Sequence, residues 1–423
     1  MRVYLRTFGC RANHYDSEVV RAMLDRGGHT VVAAPDEADV AVFNSCAVTA
    51  DAQADLRQSV RRAARTNDAL RTVVMGCAAA FDRDSVRELP SVSHVVSGAD
   101  FVSIAAALEL PAHAVATLAT RAQSTVRAVL RIQDGCDEHC TFCATTVARG
   151  PARSRSVDAL IREAHALSER HSEIVLTGIH IGSWGTEHGA PLSTLVHRLL
   201  REVPDVRFRL SSLEATEVDP LLATLLRSDD GRLAPHLHAP LQSGSDRVLR
   251  RMGRHWYTAH SYRDAVGALV RDRDVFGLGA DVMCGFPGET EADHEATVRL
   301  IEELPFTYLH VFPYSPRPGT AATRLGSVVA PSRVERRAAD LRALAKRKAA
   351  AYRARRDRGV ADVIVTTGGP RPEGITEDFL TVHVTGSMER GARFRARLSV
   401  TDSAILAHPE RARDSMTRYL SAP

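Results

Sequence analysis

Three of the seven cysteines, Cys136, Cys140 and Cys143, lie within one short segment that follows a predicted strand over residues 126–132. Three thiolates at this spacing are able to bind one metal centre. A [4Fe–4S] cluster held by only three cysteines leaves one iron open for a substrate. A structural zinc site is the main alternative, but it normally has four ligands. No fourth cysteine lies nearby, and His139, next to Cys140, is poorly placed. Loop cysteines that bind nothing are the third interpretation.

A second set of three cysteines is spread over the first eighty residues, and each member follows a predicted strand. Cys10 follows residues 3–8, Cys46 follows residues 38–44, and Cys77 follows residues 71–75. In open parallel sheets, ligands bind beyond the carboxyl ends of the strands. The three thiols are therefore expected to face one crevice and to form a second three-thiolate site. Three buried cysteines that act as small apolar side chains are the alternative.

Length and composition indicate a globular protein of two or three domains, because a domain usually has roughly 150 residues and the chain has 423. No stretch approaches the roughly 18 uninterrupted apolar residues of a membrane span, and no signal peptide is evident. An odd number of cysteines in such a chain favours reduced thiols and metal binding over disulfides. The sequence thus predicts a cytoplasmic protein without a membrane segment. The net charge of +4 does not by itself require a nucleic-acid partner.

The elements that position these cysteines are predicted as alternating strands and helices. In the first hundred residues, helices over 13–26 and 51–65 and a fourth strand over 92–96 indicate a parallel sheet covered on both faces. A linker is predicted over 110–124. Six further strands are predicted over residues 126–132, 173–179, 207–211, 236–239, 279–284 and 309–314. The helices between them are predicted over residues 157–170, 192–201, 220–227, 259–271 and 291–304.

Six strand–helix units are too few for a closed eight-fold barrel, so the α/β fold predicted for this part is an open, partial (β/α)6 barrel. Its chemistry belongs at the carboxyl ends of the strands. Polar and glycine-rich groups follow several of these strands, and turn chemistry explains any one of them alone. Their shared position around one rim makes them candidate cofactor ligands: Thr177, Gly178, Ser211, Ser212, Glu214 and Gln242.

The last part of the chain combines a basic helix with a small all-β unit. The helix is predicted over residues 332–358 and contains eleven arginines and lysines, with an apolar stripe of Leu341, Leu344 and Ala345. It either follows the phosphates of an RNA or is a solvated face of a connecting helix. Strands are predicted over 361–366, 380–384 and 393–399.

The spacing of Cys136, Cys140 and Cys143 resembles the signature loop of the radical S-adenosylmethionine (SAM) enzymes. Residues 7–13 resemble the start of the methylthiotransferase family, whose first domain holds a second four-iron cluster on cysteines that match Cys10, Cys46 and Cys77. Residues 149–150, 241–245 and 285–290 agree with further blocks of that family. The resemblance covers essentially the whole chain. One departure is residues 144–147, where the family usually has an isoleucine pair and a proline, and another is Cys284, interpreted as a small buried side chain.

Within that family, three branches act on different substrates. One modifies isopentenyladenosine in tRNA, one modifies threonylcarbamoyladenosine in tRNA, and one modifies an aspartate of a ribosomal protein. Residues 13–15, 44–49, 58–63 and 310–315 resemble the second branch most. The resemblance thus implies methylthiolation at C2 of N6-threonylcarbamoyladenosine next to the anticodon, and the other two substrates are the alternatives. A single-cluster radical enzyme and a non-catalytic RNA-binding metalloprotein are the rivals from other classes.

The resemblance also implies the cofactors, partners and domains. The cofactors are two [4Fe–4S] clusters and SAM, and the partners are a tRNA substrate and an electron donor such as flavodoxin or ferredoxin. The protein is expected to be a monomer. The domains are expected at residues 1–120 (methylthiotransferase), 121–358 (radical SAM) and 359–423 (a TRAM-like β domain that binds RNA). Arg149, Arg153 and Arg155 are predicted to hold phosphate or the SAM carboxylate, or else to be structural cations.

Overall fold

The chain forms three successive units, each built around its own sheet. The computed structural model describes residues 1–46, 50–115 and 122–410. Its strands are β1 Arg2–Thr7, β2 Thr30–Val32, β3 Val40–Ser45, β4 Arg71–Gly76, β5 Val92–Ser97, β6 Ala128–Arg131, β7 Gln133–Asp134, β8 Arg153–Ser154, β9 Glu173–Thr177, β10 Arg207–Leu210, β11 His236–His238, β12 Gly277–Cys284, β13 Tyr308–Pro313, β14 Val360–Thr367, β15 Glu373–Thr376, β16 Thr381–Val384, β17 Arg393–Val400 and β18 Ile405–Pro409.

The helices lie mainly between consecutive parallel strands. They are α1 Arg11–Arg26, α2 Ala50–Thr66, α3 Cys77–Phe81, α4 Arg83–Arg87, α5 Phe101–Ala107, α6 Thr145–Arg149, α7 Val157–Ser168, α8 Leu192–Glu202, α9 Pro220–Leu226, α10 Asp246–Arg251, α11 Ala259–Val270, α12 Glu291–Glu303 and α13 Pro331–Arg355. No helix of the described ranges is both long and apolar enough to cross a membrane. Part of the predicted linker and the last thirteen residues lie outside the described ranges, and the domain limits at 120 and 358 stay predictions.

The amino-terminal unit is a parallel sheet with the strand order β2–β1–β3–β4–β5. Every residue of its central strand β3 is buried, because α1 and α5 pack on one face of the sheet and α2 packs on the other. The alternation of strands and helices predicted this arrangement. The edge strand β2 was not predicted, since its three residues are too few to show a periodic pattern.

Six parallel strands form the central unit. They pair as β6–β9–β10 and as β11–β12–β13, and single bridges, including one between Ser212 and His238, join the two groups. No pairing joins β6 to β13 within the described ranges, so the barrel is open. The predicted fold class, a parallel α/β sheet followed by a partial (β/α)6 barrel and a small β domain, is confirmed.

The carboxyl-terminal unit is a small barrel closed in the order β14–β15–β16–β18–β17. Three of its strands were predicted. Strands β15 and β18 were not: β15 has four residues and follows the glycine- and proline-rich residues 368–372, and β18 has five residues and follows the polar turn 401–404. The inward residues of the barrel, among them Val363, Val382 and Leu398, form its own apolar core.

A buried charge cluster attaches this small barrel to the central unit. Glu173 of β9 is fully buried and accepts hydrogen bonds from Arg207 Nε at 2.6 Å and Arg209 Nε at 3.0 Å. Arg207 also binds Asp362 Oδ2 of β14 at 3.0 Å, and Arg209 donates to the backbone carbonyl of Glu377 at 2.9 Å. Burial alone acts to raise the pKa of Glu173, but the surrounding arginines hold that pKa well below its usual range.

A second buried cluster attaches the amino-terminal unit to the central one. Asp16 of α1 forms ion pairs with Arg131 of β6 and with Arg149 of α6. Tyr15 Oη lies 3.2 Å from the Glu163 carboxylate of α7. Because an unpaired buried charge is costly, these contacts fix how the first sheet sits against the barrel.

Candidate active site

The loop after β7 presents its three cysteines with hydrogen-bond donors aimed at the sulfur atoms. The backbone N–H of Glu138 lies 3.4 Å from Cys136 Sγ, and that of Thr145 lies 3.3 Å from Cys143 Sγ. The Cys143 N–H donates to the Cys140 carbonyl at 3.0 Å, which closes the turn between them. Donors that point at thiolates stabilise their negative charge and tune an iron–sulfur cluster. The donor set therefore fits a cluster on these three residues.

Arg254, which follows α10, supplies the donor to the third sulfur. Its Nη1 lies 3.5 Å from Cys140 Sγ, and its Nη2 forms a short ion pair with Glu214. The guanidinium also lies over the Trp256 ring, 4.7 Å from its centroid, and its Nε donates to Tyr257 Oη at 3.0 Å. Burial raises the pKa of the Cys140 thiol to about 12 despite this cation. The contacts with Glu214, Trp256 and Tyr257 thus hold the Arg254 guanidinium beside Cys140.

The second set of cysteines comes together around the side chain of Asn13. Cys10 Sγ lies 3.8 Å and Cys77 Sγ lies 4.0 Å from Asn13 Oδ1. Cys46 approaches the same place from β3, and a Cβ added to Gly9, whose φ is +94°, would lie 2.7 Å from its Sγ. The predicted convergence of three strand-end cysteines is present in the structure. Three thiols in one crevice fit a second cluster, for which Gly9 leaves the room.

Arg149, the last residue of α6, lies beside the second set of cysteines. It lies six residues after Cys143, is buried, and donates from Nη2 to Asn13 Oδ1 at 2.6 Å. Its Nη1 lies 2.8 Å from Asp16 Oδ2. Burial opposes its charge, but Asp16 and the neighbouring thiols raise the pKa of Arg149 above its ordinary value. The guanidinium therefore lies beside the second set of cysteines, held by groups of the protein.

Neither of the other two predicted substrate arginines bonds a cysteine within the described ranges. Arg155 donates to Tyr15 Oη at 2.9 Å and forms an ion pair with Glu163 at 2.7 Å, so it braces α7 against α1. Arg153 is exposed, and its Nη2 lies 4.0 Å from Asp134 Oδ2. Of these two, only Arg153 keeps most of its guanidinium open to solvent.

The predicted rim residues lie together at the carboxyl ends of β9, β10 and β11. Thr177 is the last residue of β9, and Gly178 follows it; Ser211 is buried, whereas Ser212 is exposed. Glu214 Oε2 and Gln242 Oε1 are buried and accept no hydrogen bond from the described residues. Buried acceptors are normally satisfied. These two atoms therefore fit a bound molecule that brings its own donors, such as the amino group or ribose hydroxyls of SAM.

Several residues of the site had no signal of their own in the sequence. Arg254 lies in an ordinary polar stretch, and its contact with Cys140 joins positions 114 residues apart. His180 lies 4.0 Å from Cys136 Sγ and bonds Glu217 Oε1 at 2.6 Å. In the sequence, Asn13 is distinguished only by its place in residues 7–13, which resemble a block of the family. Contacts over such separations depend on the tertiary fold.

The inner face of β11–β13 carries a third polar group. His238, Asp281 and His310 place their ligand atoms within 4.8 Å of one another. Asp281 Oδ1 lies 3.2 Å from a nitrogen of each imidazole. Burial acts to raise the pKa of Asp281, but the two imidazoles lower it below its usual range. The carboxylate is thus satisfied by imidazole donors.

Two family models and several known proteins are similar to this chain. The model of an uncharacterized protein family, UPF0004, matches residues 2–98, and that of the radical SAM superfamily matches residues 130–301. The threonylcarbamoyladenosine tRNA methylthiotransferase MtaB of Bacillus subtilis is 33% identical over 91% of this chain and 90% of its own length. The tRNA-2-methylthio-N(6)-dimethylallyladenosine synthase of Erythrobacter litoralis is 32% identical over 87% of each chain.

Among solved structures, the radical SAM methyltransferase TsrM of Kitasatospora setae shares the fold. Its TM-score is 0.55 at 14% identity, and the match covers 76% of each chain. The fold and the cysteine loop thus define a radical SAM enzyme. The chain belongs to the radical SAM methylthiotransferase family, a family of transferases. As a member, it uses SAM and two [4Fe–4S] clusters as cofactors.

Proposed function

We propose that the protein methylthiolates C2 of N6-threonylcarbamoyladenosine next to the anticodon of tRNA. The observation that carries the proposal is the packing of α6, which follows the Cys143 loop, against α3, which begins at Cys77, with Arg149 of α6 at the contact. Its Nη2 donates at 2.6 Å to the Asn13 oxygen around which Cys10 and Cys77 lie. A base bound between the two sets would face both cofactors at once.

In this proposal the six cysteines divide into two sites with different tasks. Cys136, Cys140 and Cys143 hold the cluster that binds SAM, and Cys10, Cys46 and Cys77 hold the second cluster. When bound, these cofactors supply the electron, the 5′-deoxyadenosyl radical, the sulfur and the methyl group. The side chains around them bind and orient the reactants and exclude water.

The rim residues have the task of orienting SAM. The unsatisfied Oε2 of Glu214 and Oε1 of Gln242 are acceptors for its amino group or hydroxyls. Gln242 has φ of +59°, and its backbone is held by the β12 residues Asp281 and Met283, at 2.8 and 2.9 Å. Thr177, Gly178, Ser211 and Ser212 complete the proposed cofactor site. Arg149 and Arg153 line the proposed route of the substrate, and Arg155 braces it.

The proposed partners are tRNA and a small electron donor such as flavodoxin or ferredoxin, and the proposed working form is a monomer in the cytoplasm. Relatives at 33% identity act on threonylcarbamoyladenosine in tRNA according to their names, and those at 31 to 32% act on dimethylallyladenosine. The second substrate is therefore the alternative, and its apolar side chain makes the two easy to separate.

The test uses anaerobically reconstituted protein with a strong reductant, SAM and a sulfide source. Two anticodon stem-loop RNAs of one sequence carry either threonylcarbamoyladenosine or isopentenyladenosine at the same position. Nucleoside mass spectrometry is expected to detect the 2-methylthio product from the first RNA. Product from the second RNA alone, or none from either with both clusters loaded, would contradict the proposed substrate.

A further inference from the structure

Arg11 is a cation for which the described part of the chain supplies no anionic partner. It follows Cys10 directly, as the first residue of α1, and it is partly buried. Its guanidinium carbon lies 6.0 Å from the centroid of the Phe379 ring, which comes from the carboxyl-terminal barrel. Among the described residues, no carboxylate forms an ion pair with Arg11, and no side chain or carbonyl accepts a hydrogen bond from its guanidinium.

The surroundings of Arg11 make this lack of an anion unusual. Two more guanidinium carbons lie against the same Phe379 ring, that of Arg209 at 5.4 Å and that of Arg127 at 5.7 Å. Glu173 is a carboxylate whose charge acts on Arg11. This carboxylate already pairs with Arg209 at 3.0 Å and Arg127 at 3.4 Å, as well as with a third arginine. Positive charge is therefore in excess around Arg11.

A partly buried cation among other cations is unfavourable unless an anion joins it. The place beside Arg11 thus suits a ligand that carries one negative charge. Planar groups surround it: the Tyr308 ring lies 5.4 Å from the Phe379 ring, and the Tyr308 hydroxyl bonds His236 at 2.8 Å and His238 at 3.1 Å. Because these groups lie on the inner face of the barrel, the ligand would be reached from the barrel interior.

We propose that Arg11 binds the threonyl carboxylate of the substrate base and thereby selects threonylcarbamoyladenosine over isopentenyladenosine. This inference rests on the proposed function. Threonylcarbamoyl carries one carboxylate, ionised at neutral pH, whereas isopentenyl carries no charge and no hydrogen-bonding group. Arginine binds a carboxylate through two parallel N–H donors, which gives both affinity and orientation.

The position of Arg11 in the chain matches the chemistry of the base. The ureido N–H of threonylcarbamoyladenosine can bond N1 of its own ring, which brings the threonyl group to the ring edge that carries C2. Cys10 and Arg11 are consecutive at the start of α1, and the Arg11 guanidinium extends to the Phe379 ring. In this proposal, a base whose C2 faces the Cys10 site has its threonyl group directed towards Arg11. In this arrangement, neighbouring residues serve recognition and reaction: Arg11 binds the threonyl carboxylate, and Cys10 belongs to the site that faces C2.

The first test changes the substrate and leaves the protein intact. Two stem-loop RNAs carry threonylcarbamoyladenosine either as the free acid or as its neutral carboxamide. Loss of a charge-assisted hydrogen bond usually costs about ten- to a hundredfold in affinity. Wild-type holoenzyme should therefore bind the acid at least about tenfold more tightly, as measured by fluorescence anisotropy with SAM present, and should show a similar ratio in kcat/KM.

The second test changes Arg11. Arg11→Gln should abolish the preference for acid over carboxamide, and Arg11→Lys should keep a large part of it. Arg299→Gln, on an exposed arginine of α12, is the matched control and should leave the ratio unchanged. Iron content, the spectra of both clusters and SAM cleavage without RNA show whether the variants remain loaded.

The outcomes separate this inference from the proposed function. If wild-type enzyme methylthiolates the acid RNA but treats acid and carboxamide alike within twofold, Arg11 does not recognise the carboxylate. The same conclusion follows if a fully loaded Arg11→Gln keeps the wild-type ratio. If loaded wild-type enzyme forms no product from the acid RNA, the proposed function is wrong, and this inference with it.

Discussion

At the scale of single residues, the six cysteines differ in what surrounds them. Cys136, Cys140 and Cys143 are served by two backbone N–H groups and one guanidinium, all within one loop and its neighbour. Cys10, Cys46 and Cys77 instead gather from three separate strands around Asn13. The cysteines of the first set are close in sequence, although their Arg254 donor is not, whereas the second set comes together only if the amino-terminal sheet is formed.

This difference predicts separable losses. Cys136→Ala should abolish formation of 5′-deoxyadenosine, because the cluster that binds SAM would be lost. Cys77→Ala should keep SAM cleavage but lose methylthio transfer, with iron falling from about eight to about four atoms per chain. Chromatographic assay of 5′-deoxyadenosine, iron analysis and nucleoside mass spectrometry measure the three quantities.

Cys284→Ala is the control for both substitutions. Cys284 is the last residue of β12, fully buried in the apolar core of the barrel, with its Sγ 3.9 Å from the Phe312 carbonyl. The Cys284→Ala variant should therefore contain the full amount of iron and should form the methylthiolated product at the wild-type level. Full iron and full product in Cys77→Ala would show that the amino-terminal cysteines are not ligands.

At the scale of elements, Asp293 joins α12 to the loop that follows β11. Its Oδ2 accepts from the Thr290 N–H at 2.8 Å, which completes a capping box, and its Oδ1 accepts from Ser245 Oγ at 2.6 Å. Arg247 forms a short ion pair with the same carboxylate. The loop that carries Gln242 is therefore positioned by the first turn of a helix.

Asp293→Asn should lower the free energy of unfolding by about 2 kcal/mol at pH 7, because a cap and a charged acceptor are both weakened. Burial acts to raise the pKa of Asp293, but the bonds from Arg247, Ser245 and Thr290 lower it below its usual range. A depressed carboxyl pKa stabilises the fold above the unfolded value of about 3.9, and this contribution is lost as the pH falls below it.

The difference between wild type and Asp293→Asn should therefore be constant from pH 7 to about pH 5 and should shrink below about pH 4. Urea unfolding followed by circular dichroism under anaerobic conditions measures this difference, and taking the difference removes effects of pH common to both proteins. A difference that grew on acidification would contradict the assigned bonds.

At the scale of the whole molecule, the small carboxyl-terminal barrel is an integral part of the fold. It contributes Asp362 and two backbone carbonyls to the arginines that surround Glu173, and Phe379 to the interior of the central barrel. Tyr352 of α13 donates to Asp378 Oδ2 at 2.6 Å. Two units thus share one buried polar network.

Glu173→Gln should destabilise the protein by about 3–5 kcal/mol, because it leaves buried arginines without their counter-charge. Thermal unfolding of the loaded protein measures the loss. Glu202→Gln, at a surface carboxylate that also pairs with two arginines, should leave the melting temperature nearly unchanged. Equal effects of the two substitutions would refute the role given to the buried network.

The helix α13 is predicted to bind RNA through only part of its positive charge. Arg337 is buried and pairs with Glu289 at 2.8 Å, and Arg356, just beyond the helix, pairs with Asp378 at 2.8 Å, so both are structural. Arg342 and Lys346 are exposed on the same side of the helix, four residues apart. Neither forms an ion pair with a described residue, so these two are candidates for phosphate contacts.

Replacement of both Arg342 and Lys346 by glutamine should weaken tRNA binding and reduce the slope of log K against log salt by about 1 to 2, because each phosphate contact releases counterions. Binding titrations at several salt concentrations measure the slope. Arg198 and Arg201, both on α8, are the matched pair for a double control. An unchanged slope would show that Arg342 and Lys346 are solvent-exposed side chains that do not contact the phosphates.

The sequence alone determined what depends on short-range order. The spacing of Cys136, Cys140 and Cys143 predicted one loop site, and alternating strands and helices predicted a parallel sheet and an open six-stranded barrel. Strand-end positions even predicted that Cys10, Cys46 and Cys77 converge, since parallel strands end at one edge. These features follow from local periodicity and from the rules of chain topology.

The tertiary structure decided which charges are satisfied and which remain free. Arg149 and Arg155 look alike in the sequence, yet one borders the Cys10 site and the other braces α7. Arg254 reaches Cys140 over 114 residues. Arg11 has no ion-pair partner among the described residues, whereas Arg127 and Arg209 both pair with Glu173. Charge pairing depends on distances between residues far apart in the chain, and residue types do not specify those distances.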